Sequence, residues 1–229
     1  LLVAVALLFF TGIIMILLGR LTRLSEIDKI VVRRDWPLLR GAVTVLELLF
    51  LFGVGTIMSA GVGALLEQLF GLAPFIGSAV FAALVAVVSL AGFSGMVSAF
   101  SATVPVLSVV TLIFGIMSIC SNGLVLLLIA GSVLVSVSAA PETADAQLPM
   151  LALAQSRGTV WGYVYGVLLL LAMFGTALSS LVAFVSMLAA KSARISGHKN
   201  KFTALCALCM FLGSLFGFGD LIGVVYPIF

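Results

Sequence analysis

The charges of this chain are confined almost entirely to two stretches, and that limits what it can fold into. Arg20, Arg23, Lys29, Arg33, Arg34 and Arg40 sit in the first, diluted by Glu26, Asp28 and Asp35. Lys191, Arg194, Lys199 and Lys201 sit in the second, without an acid. Around them run apolar segments of the length that crosses a hydrocarbon core, about 20 helical residues. The pattern predicts an all-α polytopic transmembrane bundle, read as one domain over 1–229. The basic stretches 20–40 and 191–201 are its expected cytoplasmic loops, because Lys and Arg gather on the cytoplasmic side.

Composition supports the same class. Soluble domains carry roughly 25% charged residues and about half apolar ones. Here the shares are 8% and 63%, with mean hydropathy +1.39. A lipid bilayer is therefore the expected partner of most side chains. The net charge of +3 comes from the loops rather than a basic face, so it gives no reason to expect nucleic acid. Cys206 and Cys209 have a two-residue spacer but no second pair or partner histidine, and are read as packing residues. The chain opens at Leu1 without Met or a basic leader and stops in an apolar run at Phe229, which reads as an internal piece of a longer protein.

Along the chain, Leu1–Leu18 is an apolar run closed by Gly19-Arg20, and Trp36-Pro37 marks the return to the membrane interface. Gly41–Phe70 is a long span whose Gly55, Ser59 and Gly63 form a small-residue stripe for close helix approach. Turns are expected at Gly71–Pro74 and Ser94-Gly95, bounding spans Phe75–Phe93 and Met96–Ile119, the second kinked at Pro105. Leu124–Val137 is a shorter apolar run, and Leu148–Gln155 reads as a short amphipathic or re-entrant helix. Thr159–Ala190 is a long span with interface aromatics Trp161, Tyr163 and Tyr165 at its start. Phe202–Phe216 is another, and Asp220 after Gly217–Gly219 is placed to cap one more. Two basic loops on one side need an even number of spans between them. The runs 41–70, 75–93, 96–119, 124–138 and 159–190 make five, so either one does not cross or a crossing is lost near Ser121–Gly123.

Ionisable or polar groups at membrane depth are the functional candidates. Glu47 lies seven residues beyond Arg40. It either snorkels to the interface or pairs with Arg40, or it serves a substrate or proton path. Thr176, Ser179 and Ser180, at spacings of three and four, are expected on one helical face beside Ala172 and Gly175. Such hydroxyls either bond to the carbonyl one turn back or help hold a sodium ion. No Ser/His/Asp set, metal cluster or phosphate-cradling glycine loop is visible in the sequence, so it gives no support to an enzyme.

Leu148-Pro-Met-Leu-Ala-Leu-Ala154, Gly162-Tyr-Val-Tyr165 and Ala172-Met-Phe-Gly-Thr-Ala-Leu-Ser179 resemble the eighth-helix region of the YkvI-like bacterial membrane proteins. Gly61-Val-Gly-Ala-Leu-Leu-Glu-Gln-Leu-Phe-Gly71 resembles their third helix, and Gly213–Phe229 their ending. That group is placed by resemblance near the amino acid–polyamine–organocation transporters, whose LeuT-like fold has two inverted five-helix repeats.

The resemblance implies a partial inverted-repeat fold. Leu1–Leu18 would be the second helix, the next three spans the third to fifth, and Leu124–Val137 the seventh. Thr159–Ala190 would be the eighth and Phe202–Phe216 the ninth. The first helix would lie upstream of Leu1, and the sixth has no counterpart. It further implies a multi-pass protein of the bacterial inner membrane that moves a small organic solute, amino-acid-like, with sodium as a candidate coupling ion. Thr176, Ser179 and Ser180 would be ion ligands from the eighth helix, completed by the first. The alternative is a non-transporting membrane scaffold or a degenerate transporter copy.

Overall fold

The computed structural model describes residues 36–121, 147–156 and 158–225, together with positions 10, 11, 13, 14, 17 and 20 of the first apolar run. The described residues are helical throughout their regular elements, with no strand among them. The elements are α1 (Pro37–Phe70), α2 (Pro74–Leu90), α3 (Gly92–Ser121) and α4 (Pro149–Ser156), then α5 (Thr159–Lys191), α6 (Ala193–Gly197), α7 (Lys199–Ser214) and α8 (Phe218–Val225).

The helix boundaries follow local chemistry. Trp36 is extended, and Pro37 opens α1, where a missing N–H costs nothing and the ring presets φ. The helix thus starts at Pro37, one turn earlier than Gly41. It ends at Gly71, left-handed at φ 67°, whose N–H bonds the Glu67 carbonyl. Pro74 opens α2 in the same way. The corner between α2 and α3 falls at Ala91-Gly92, not at the expected Ser94-Gly95. Gly92 carries the positive φ of 64°. Gly95 is helical and serves packing instead: a Cβ there would lie 2.5 Å from Ala91 Cβ and 2.8 Å from the Val88 carbonyl oxygen.

The two longest helices, α1 with 34 residues and α5 with 33, form the centre of the bundle. They meet in reverse order along their lengths. Phe70 stacks at a tilt on Tyr163 at 5.7 Å, Leu69 fills the space over Gly166, and Gly61 faces Met173. Phe52 meets Phe184 at 5.9 Å, and Thr44 receives a hydrogen bond from Lys191. The pair is therefore antiparallel, and Arg40 near the start of α1 lies at the same end of the bundle as Lys191 at the end of α5.

The small-residue stripe of α1 does what its spacing predicts, against two different neighbours. Gly55 faces Met210 of α7, while Gly63 faces Ser78 and the Pro74 carbonyl of α2. Ser78 Oγ donates to the Ser59 carbonyl at 2.9 Å, crossing the closest part of the α1–α2 contact. In lipid, where apolar contact between helices gains little over apolar contact with acyl chains, such close approach is what holds helices together. Val62, Leu65, Phe81, Val85, Leu178, Leu181 and Val185 fill the remaining centre. The outward faces carry Leu49, Leu84, Val87 and Phe93, all exposed.

Among the described residues, three helices are long and apolar enough to cross a membrane: α1, α3 over its window Gly92–Val109, and α5. The expected spans 75–93 and 202–216 are realised as helices of 17 and 16 residues. At about 1.5 Å per residue these reach some 25 Å, short of a ~30 Å core. The stretch 191–201, expected as a loop, is largely helical: Lys191 ends α5, Ala193–Gly197 forms α6 and α7 starts at Lys199. Asp220 lies inside the first turn of α8 rather than at its cap, because Phe218 already opens the helix after Gly217 at φ 91°. The run Leu124–Val137, residues 122–123 of the proposed junction and most of Leu1–Leu18 lie outside the described residues, as does most of the loop 20–40.

Candidate functional site

The hydroxyl group of α5 opens onto a cleft between α3 and α5. Phe100, Thr103, Val104 and Leu107 line it from α3, and Leu171, Ala172, Gly175, Thr176 and Ser179 from α5; its volume is about 200 Å³. Gly175 sets its width, since a Cβ there would lie 2.8 Å from the Phe100 ring. The ring therefore rests directly on the α5 backbone.

The three hydroxyls expected on one face divide. Successive helical residues are separated by about 100°. Thr176 and Ser179 reach the cleft, whereas Ser180 is only 5% exposed and points into the bundle. Thr176 Oγ1 donates to the Ala172 carbonyl at 3.0 Å, and Ser179 Oγ donates to the Thr176 carbonyl at 2.9 Å. Both protons are thus directed back into the helix. A hydroxyl used this way keeps its oxygen lone pairs as acceptors. The pair Thr176–Ser179 accordingly presents two hard oxygen donors and no competing positive charge within the cleft lining, which fits a sodium ion or the donor groups of a polar solute.

Glu47 occupies a different place. It is half-buried on α1, one turn beyond Thr44, whose Oγ1 donates to the Arg40 carbonyl at 2.9 Å while accepting from Lys191 Nζ. Arg40, Thr44 and Glu47 follow one another at helical spacing on α1. The structure so places Glu47 near the basic end of the bundle, at the α1–α5 junction and apart from the hydroxyl cleft, which lies along the middle of α5.

One polar contact has no counterpart in the sequence reading. Gln155 of α4 and Gln68 of α1 bond reciprocally. Gln155 Nε2 donates to the Gln68 carbonyl at 3.2 Å, and Gln68 Nε2 donates to Gln155 Oε1 at 3.3 Å. With Leu151 fully buried beneath it, the pair docks the short helix onto the ends of α1 and α5 opposite the basic end. The 87 residues between the two glutamines leave no spacing to read, and only two amides flanking apolar runs hint at them.

Described residues that are helical in every regular element, with exposed apolar faces and three helices fit to span a bilayer, mark a membrane protein. No family model, curated protein or solved structure matches it.

Proposed function

We propose that this chain is the helical body of a secondary transporter of the LeuT-like type, moving a small amino-acid-like solute by alternating access with sodium as the coupling ion. The observation that carries this is the matched pair of helical units. α1 and its following helix α2 have 34 and 17 residues; α5 and, beyond the five-residue α6, α7 have 33 and 16. The leading helices run antiparallel, as the third and eighth helices of two inverted repeats would. In transporters built from such repeats the substrate and ion sites lie near the midplane, between the repeats. The hydroxyl cleft fits that position on α5.

In this reading Thr176 and Ser179 hold the ion through their oxygens, with Ser180 on the packed side of the same helix. Sodium bound there would supply the coupling free energy. The chain's own part is to orient two hydroxyls by bonding their protons to α5 carbonyls, and to exclude water with Phe100, Leu107 and Leu171. Kinship with the YkvI-like group belongs to the same proposal, as does residence in a bacterial inner membrane.

The test is uptake of a labelled amino-acid mixture by proteoliposomes carrying the purified protein, with and without an inward sodium gradient. Accumulation above protein-free vesicles that rises with the gradient is expected. Uptake equal to protein-free vesicles under both conditions contradicts transport and favours a packed scaffold, for which the α1 stripe suffices.

A further inference from the structure

We propose that Thr103 of α3 supplies a third oxygen to the ion-binding face of α5, so that the site is shared between two helices. This rests on the sodium reading of Thr176 and Ser179 and adds a residue that no spacing on α5 could indicate.

Thr103 lines the same cleft from the opposite wall. Its side chain is only 9% exposed, in a helix most of whose surface faces outward. A threonine in an apolar helix ordinarily returns its proton to the carbonyl one turn back. Thr44, Thr56, Thr176 and Thr203 all do so. Thr103 makes no such bond among the described residues. Its side chain lines the same cleft as Thr176 and Ser179, and its hydroxyl is left available to that cleft.

Valine would fill the threonine's volume at a purely structural site with little consequence. At a ligand site it deletes an oxygen.

The experiment measures thermal stability of the purified full chain in detergent across a titration of sodium chloride, against choline chloride at equal ionic strength. A bound ion raises stability with concentration according to its affinity. In the unaltered protein, a sodium-specific rise is expected. Thr103→Val should shift the half-maximal sodium concentration upward by about tenfold or more, the scale of one lost ligand to a charge. Thr103→Ser should stay within about threefold, because it keeps the oxygen. Thr103→Cys, with sulfur in place of the hard oxygen, stands in for the valine variant should that one fail to fold.

An unchanged midpoint in Thr103→Val or Thr103→Cys overturns the role of Thr103 while leaving Thr176 and Ser179 in place. Equal losses in Thr103→Ser and Thr103→Val also overturn it, because the serine variant keeps the oxygen and the valine variant does not. No sodium-specific rise in the unaltered protein overturns the sodium reading itself, and Thr103 with it.

Discussion

Lys191, the last residue of α5, donates a hydrogen bond from Nζ to Thr44 Oγ1, three residues short of Glu47 on α1, across 147 residues of sequence. The bond joins the end of one long helix to the beginning of the other. It holds Arg40, in the first turn of α1, and Lys191 at one end of the bundle, and the tendency of basic flanks to stay cytoplasmic gives the orientation expected of that end.

Sidedness is the first prediction. In a background with Cys120, Cys206 and Cys209 replaced by alanine, Arg20→Cys and Ser196→Cys should both react with an impermeant maleimide only when the cytoplasmic face is open. Both positions are exposed. Labelling of the two from opposite faces would break the antiparallel arrangement of α1 and α5.

The α1 stripe gives a graded prediction. A Cβ on Gly63 would stand 2.6 Å from the Pro74 carbonyl oxygen, a backbone atom that cannot rotate away. Gly63→Ala should therefore destabilise the bundle by about 1–3 kcal/mol, as overpacking does. Gly55→Ala meets the flexible end of Met210 and should cost less, and Gly41→Ala meets nothing within 4 Å and should be neutral. Unfolding in a denaturing detergent titration ranks the three; an equal effect at Gly41 and Gly63 would contradict the packing.

Docking of α4 gives a local prediction. Gln155→Ala removes one side of the reciprocal amide pair and should weaken the docked helix by about 1 kcal/mol. Leu151→Ala, which empties a fully buried site, should cost about 2–5 kcal/mol. Hydrogen exchange across 149–156 should accelerate in both, more in the leucine variant. Unaltered exchange in both would mean that α4 is held by other contacts.

What the sequence made legible was set by local chemistry and periodicity. Pro37, Gly71 and Gly217 mark helix ends because only their backbone chemistry suits those positions, and the stripe Gly55, Ser59 and Gly63 announced a close contact without naming its partners. The α2–α3 corner was displaced by three residues because Gly92 and Gly95 look alike in sequence, though one turns the chain and the other admits a neighbour. Charge density disguised α6 and the start of α7 as loop. The division of Ser180 from Thr176 and Ser179 is a matter of helix phase relative to neighbours, which requires knowing where α3 lies. The pairs Gln68–Gln155 and Thr44–Lys191, and the cleft that Thr103 and Thr176 line together, are tertiary, and single-chain spacing carries no trace of them.

The hydroxyl cleft is the centre of the functional account, and Ser179→Ala tests it most directly. The variant deletes one oxygen from the wall of the cleft and leaves the apolar packing of α5 unchanged. Uptake by the intact protein in proteoliposomes is to be measured over a range of sodium concentrations beside the unaltered form. The account predicts folded, monodisperse protein whose uptake needs roughly tenfold more sodium for half-maximal rate. The same sodium dependence in both proteins would contradict it.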